Sequence, residues 1–295
     1  MRGVRTIARA TALEVLSEPL TLLVLLAALV LTVLAPAFHC HQFGEPTRMA
    51  RDAGLSSLLV GGAVTAVFGT IRAFRREIES GTMEMALAHP VSRGGFFFAK
   101  ALGAAGAYLV FALIVVGVTL TMVDGASIGG ALAMRNGGLA RVWGPRLVAG
   151  VGVMTLPIVV AAALNRFGRF RFVLSSFALA SVLSLASAAV AIAHDRALAL
   201  RLLPVIALIA LMTLVFLSVA AAFAIRAPAH AAAAATGAVV ALALPAVGNY
   251  YLSDALANGG SVPWSYVALA AGAALPALLL FGALGLHFIG KRDVE

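Results

Sequence analysis

Few residues in this chain have side chains able to do chemistry, and those that do are scattered. His39, Cys40 and His41, with Met49, gather imidazole, thiolate and thioether groups in one short segment. Such soft donors suit copper or zinc. In an extended chain, however, neighbouring residues point to opposite sides, so His39 and His41 can converge while Cys40 cannot. The other reading of this segment is a polar loop with incidental histidines. His194 and Asp195 are too close in sequence, at the boundary of an apolar stretch, to make a convincing site. No H-E-x-x-H is present, and no Ser–His or Ser–Lys pair falls within an apolar stretch. There is no G-x-x-x-x-G-K-[ST] to hold a nucleotide phosphate. The sequence therefore assigns no catalytic residue, no metal ligand and no cofactor, and it predicts that the chain is not itself an enzyme. Ser181, Ser184 and Ser187 step by three along one apolar stretch, where they could line a path or let helices approach closely. Residues 72–100 collect basic, acidic and turn-forming residues, with three acids, Glu77, Glu79 and Glu84.

The elements that must position these residues are set by composition. Of 295 residues 62% are hydrophobic and 11% charged, and the mean hydropathy is +1.03. Soluble domains carry about 45–50% apolar and about 25% charged residues, so a soluble enzyme, a disordered chain and a nucleic-acid module are all excluded. The single cysteine permits no intramolecular disulfide. Asp, Glu, Lys and Arg are missing from eight stretches: 20–38, 55–71, 101–123, 147–164, 172–193, 202–224, 236–253 and 264–286. A helix needs about 20 residues to cross roughly 30 Å of hydrocarbon, and lipid offers nothing to exposed backbone polar groups. The prediction is an all-α polytopic membrane protein with six to eight spanning helices, eight favoured.

Lys and Arg concentrate on the cytoplasmic side of membrane proteins. With eight spans and the N-terminus inside, fourteen of the 21 basic residues lie inside and seven outside. Both termini are then cytoplasmic, and the single cysteine fits a multi-pass protein of the inner (plasma) membrane. Residues 1–18 read as a cytoplasmic interfacial helix, with Val4, Ile7, Thr11 and Val15 on one side and Arg2, Arg5 and Arg9 on another, or as an ordinary basic flank. Residues 19–290 form a single transmembrane domain, and 291–295 a cytoplasmic tail.

Residues 72–100 are the longest polar inner segment. Residues 72–79 continue the second stretch into the cytoplasm as helix, with Arg75 and Glu79 paired across one turn. Gly81 permits the backbone to break. Thr82 caps a second short helix, 83–88, which stops before Pro90. Met83, Met85 and Leu87 put apolar surface on that helix, a feature of partner surfaces. Ser92 and Arg93 begin the return, and Lys100 marks the interface.

This segment resembles the first cytoplasmic loop of the type-2 family of ABC-transporter permeases, most closely the branch that includes the permease of nitrous-oxide-reductase maturation. The resemblance rests on the acids Glu77 and Glu79, Gly81-Thr82, the apolar helix 83–88, Pro90-Val91-Ser92-Arg93, and Lys100 before Leu102-Gly103. It implies that Glu77, Glu79, Gly81, Thr82, Met83, Met85, Leu87, Pro90 and Arg93 couple the chain to a separate cytoplasmic ATP-binding subunit. It also implies a second permease chain, the same or different, in a working exporter, with the bilayer as the other partner and no nucleic acid. The alternatives are a non-transporting assembly subunit and an intramembrane enzyme. No acid, lysine or arginine lies within the eight stretches, which disfavours an ion-coupled carrier.

Overall fold

The computed structural model describes residues 2–35, 46–81, 92–136, 139–168, 171–247 and 262–291. These form nine helices: α1 Arg2–Ser17, α2 Pro19–Leu34, α3 Pro46–Glu79, α4 Arg93–Asn136, α5 Leu139–Gly168, α6 Phe172–His194, α7 Arg196–Arg226, α8 Ala229–Val247 and α9 Trp264–Gly290. The chain is an all-α polytopic membrane protein, as its composition predicts. Among the described residues six helices are long and apolar enough to cross a membrane: Thr47–Glu79, Arg93–Gly125, Leu147–Gly168, Phe172–His194, Ala199–Arg226 and Trp264–Gly290. The count rises to seven if the α1–α2 pair is one span. The two remaining charge-free stretches fall on α2, which has only 16 residues, and on α8, which runs towards residues outside the described set.

The side chains answer to lipid. Large apolar groups such as Leu23, Val60, Val148, Val159, Leu269 and Leu279 are exposed along the helices, as expected where hydrocarbon is the solvent. Hydroxyls within the spans return to their own helix: Thr70 to the Ala66 carbonyl at 2.6 Å, Thr119 to Val115 at 2.7 Å and Thr213 to Ile209 at 2.8 Å. Water is absent there, so the carbonyl four residues back is the nearest acceptor.

By internal contacts the chain divides into two compact units. One comprises Met1–Val15, Ala63–Leu109 and Ala207–Glu295, the other Leu16–Gly62 and Val110–Ile206. In the first unit Ile71 and Phe74 of α3, Phe96 and Phe97 of α4, Phe216, Ala220 and Ala224 of α7, and Ile289 of α9 form a buried cluster. The Phe74 and Phe97 rings lie 5.6 Å apart. Helix α1 rests on two glycine seats. A Cβ at Gly69 of α3 would come 2.6 Å from Val15, and one at Gly103 of α4 would come 2.5 Å from the Ala8 carbonyl oxygen and 2.6 Å from Thr11 Cβ. The seated side of α1 carries Thr11 and Val15, both buried, while Arg5 and Arg9 are exposed. The helix expected from the sequence is therefore present, with its apolar side turned to α3 and α4. It stops at Ser17 because Glu18, which precedes Pro19, is extended at ψ 129°.

In the second unit, Ser184 of α6 donates to the Ile114 carbonyl of α4 at 2.8 Å. Gly117 makes room for it, since a Cβ there would lie 2.8 Å from the Ser184 carbonyl oxygen. Ser181 and Ser187 bond within their own helix, to Phe177 at 2.7 Å and to Ser184 at 3.0 Å. Ser184 thus serves close helix approach.

Candidate functional site

The 72–100 segment leaves the apolar part of the chain on α3 and returns on α4. The stretch Thr47–Glu79 is 33 residues, about 50 Å of helix against roughly 30 Å of hydrocarbon, so its polar end need not lie in lipid. That end is stiffened as its spacing predicts. Arg75 reaches Glu79 with Nη2 at 2.8 Å and Nε at 3.1 Å from one carboxylate oxygen. The Ser80 amide closes the last turn on the Arg76 carbonyl at 3.0 Å. Gly81 follows with φ +69°, a left-handed conformation that costs glycine nothing and other residues about 1–2 kcal/mol. The chain therefore breaks where the sequence predicts it to break.

The returning stem is fixed by two residues of the Pro-Val-Ser-Arg motif. Ser92 caps α4, its hydroxyl accepting from the Gly95 amide at 3.1 Å. Arg93 donates through Nη1 to the Gly290 carbonyl at the end of α9, at 3.0 Å. The last carbonyls of a helix have no intrahelical donor and carry partial negative charge, so a guanidinium there satisfies both needs. Thr82, Met83, Met85, Leu87 and Pro90 lie outside the described residues, as does the 83–88 helix.

The two acids of the motif part company. They are two residues apart, which on a helix places them on nearly opposite sides. Glu79 is 62% exposed beside Arg75. Glu77 turns inward, and its Oε1 lies 2.6 Å from the Nζ of Lys100. Lys100 is 1% exposed, enclosed by its neighbours in the protein. Its ammonium also donates to the Ala73 carbonyl of α3 at 2.9 Å and stands 4.0 Å from Oε2 of Glu14 on α1. The Phe96 ring centroid is 6.0 Å away. Glu14 in turn meets Arg76 Nη1 at 3.2 Å. One buried cation thus faces carboxylates from α1 and α3 while itself belonging to α4. Burial of an unpaired ammonium would cost several kcal/mol, and only this set of directed partners offsets it.

Sequence reasoning placed Lys100 in the motif but missed its pairing, and it missed Glu14, although periodicity marks both. Lys100 falls on the buried stripe of α4, four residues after Phe96 and four before Ala104. Glu14 stands three residues beyond Thr11 on the seated side of α1. A charge on an apolar stripe signals a buried pair, whose partner must come from another stripe.

A second buried charge lies in the second unit. Asp124 is wholly buried, and its Oδ1 is 2.8 Å from Nδ1 of His194, whose side chain is 52% exposed. His194 thus engages a residue 70 positions away, not its neighbour Asp195. The residues 124–146, an outer segment by charge, are helical through Asn136 and again from Leu139. Among the described residues no three His, Cys, Asp or Glu side chains gather as metal ligands. His39, Cys40 and His41 lie outside the described set.

The geometry is that of a membrane-embedded helical protein with a braced polar loop, the class to which transport permeases belong. The family described as ABC-2 family transporter protein matches residues 17–187, more than half of the 295-residue chain. The chain belongs to that family and is a membrane permease of an ABC transporter. No curated protein and no solved structure matches it.

Proposed function

We propose that this permease is the transmembrane subunit of an ATP-driven exporter in the inner membrane, and that its 72–100 loop docks on a separate ATP-binding subunit. A second permease chain, the same or different, completes the transport path. The observation that carries this reading is the family match across 17–187, which contains the whole loop. The chain also lacks a nucleotide phosphate loop of its own, so the nucleotide must be bound elsewhere. The brace at Arg75–Glu79 and the left-handed break at Gly81 support a stiff post ending in a turned tip. ATP-driven closure of the partner subunits would push the 83–88 helix, and the post would pass the movement to α3 and α4. Export as the direction, the inner membrane as the location and the docking roles of Glu79, Gly81, Thr82, Met83, Met85, Leu87 and Pro90 come from the family resemblance of the loop. Glu77 and Arg93 would act less directly, by holding the two stems through Lys100 and Gly290.

The test is co-purification of the permease with a co-expressed ATP-binding ABC subunit, and ATP turnover with and without the permease. The permease is expected to bind and to alter turnover, and Gly81→Val is expected to abolish that effect while the permease still inserts. A complex whose turnover is the same with wild-type permease, with Gly81→Val and with no permease would leave an assembly subunit as the better description.

A further inference from the structure

We propose that Lys100 is a positioning residue of the coupling step: its buried ammonium sets the register of α1 against both stems of the loop, so that α1 moves with them as one body. This rests on the docking reading above. Three observations carry it. The charge is buried to 1% exposure where an apolar side chain of similar volume could fill the space, and such replacements are often neutral or stabilising. A charge at that place therefore serves something other than stability. Its partners come from separate elements: Glu77 and the Ala73 carbonyl from α3 at 2.6 and 2.9 Å, and Glu14 from α1 at 4.0 Å. Finally, α1 meets α3 and α4 through glycine seats at Gly69 and Gly103, a close approach that brings Glu14 within reach of Lys100. One turn of slip is about 5.4 Å, enough to carry Glu14 out of reach of both Lys100 and Arg76. Apolar contacts do not resist such slip by direction, whereas a cation with aimed partners does.

Glu14 and Glu77 are 26% and 27% exposed. Once Lys100 is replaced Glu14 can recover water, whereas Oε2 of Glu77 is itself buried, so K100M is expected to be less stable but still to fold and to assemble with the ATP-binding subunit. Spin labels at Leu13→Cys on α1 and Ser80→Cys beyond α3, with the one native cysteine removed as Cys40→Ala, report the distance between these elements. In nanodiscs the otherwise wild-type complex is expected to give one narrow distance that ATP leaves unchanged. K100M is expected to broaden it and to reduce the permease-dependent change in ATP turnover by about tenfold, a coupling loss of about 1.4 kcal/mol. The exchange K100E/E77K is expected to restore both, and K100E alone neither. If K100M fails to insert, the exchange variant decides in its place. A K100M complex with the wild-type distance or the wild-type turnover response overturns the proposal, as does an exchange variant that restores neither. A wild-type permease without effect on the ATP-binding subunit ends the docking reading and this one together. A responsive wild type with a responsive K100M ends this one alone.

Discussion

Among the described residues the two units each bury one ionisable side chain to near zero exposure, and they do so with opposite polarity. In the first the buried member is a base, Lys100, and its acids Glu14 and Glu77 retain partial exposure. In the second the buried member is an acid, Asp124, and its base His194 is half exposed. The difference lies in the number of anchors as well as in sign. Lys100 has three rotatable donors and draws partners from α1 and α3, which suits a joint among several helices. Asp124 meets the His194 imidazole through one short contact, which ties α4 to α6. Both units then suggest one rule: removing the wetter partner strands a buried charge, whereas removing the buried charge lets an exposed partner such as Glu14 or His194 return to water.

That rule is most exposed to failure in the first unit. Glu14→Ala combined with Glu77→Ala leaves Lys100 with the Ala73 carbonyl alone, and the expected loss is about 4 kcal/mol, within the range for breaking a buried pair. Thermal unfolding in detergent measures it, with K100M in the double-alanine background as the control that recovers most of the loss. If the triple variant melts no higher than the double, the buried charge is not what the acids are there to meet. His194→Ala is expected to cost somewhat less, about 3 kcal/mol, because only one contact is lost. Adding Asp124→Asn should recover a good part of it, by removing the stranded charge. Equal stability of His194→Ala with and without Asp124→Asn would show that the second unit does not obey the rule.

What the sequence discloses differs between the units for the same reason. Span positions follow from the absence of charge over about 20 residues, because lipid imposes that condition on each helix separately. The Arg75–Glu79 brace and the Gly81 break are equally local: four-residue spacing and a glycine after a helix end suffice. Lys100, Glu14 and Asp124 are decided by which stripes of distant helices meet, and no local pattern supplies that. Glu77 shows the limit within one motif. The family pattern joins it with Glu79 as an acidic pair, yet helical geometry separates them, and only the position of Lys100 on α4 gives the inward one its partner. His194 was equally opaque, since the nearest acid in sequence is Asp195 and the one it meets is 70 residues away.

The smallest expected effect separates holding from docking. Glu79 is largely exposed and its partner Arg75 is one turn away, so the pair is worth about 0.3–0.5 kcal/mol and is weakened further by salt. Glu79→Gln should therefore leave unfolding within about 0.5 kcal/mol of wild type. Glu77→Gln should cost more, because a neutral amide faces the buried ammonium where a carboxylate stood. If the two acids served one purpose, the two substitutions would behave alike in stability and in ATP-turnover coupling. The geometry expects them to diverge: Glu79→Gln lowers coupling with stability unchanged, while Glu77→Gln lowers stability first and coupling only as a consequence. Measuring both quantities on both variants, in the same detergent and salt, distinguishes an acid that faces a partner protein from one that holds the loop's own stem. A loss of stability with Glu79→Gln as large as with Glu77→Gln would erase the distinction.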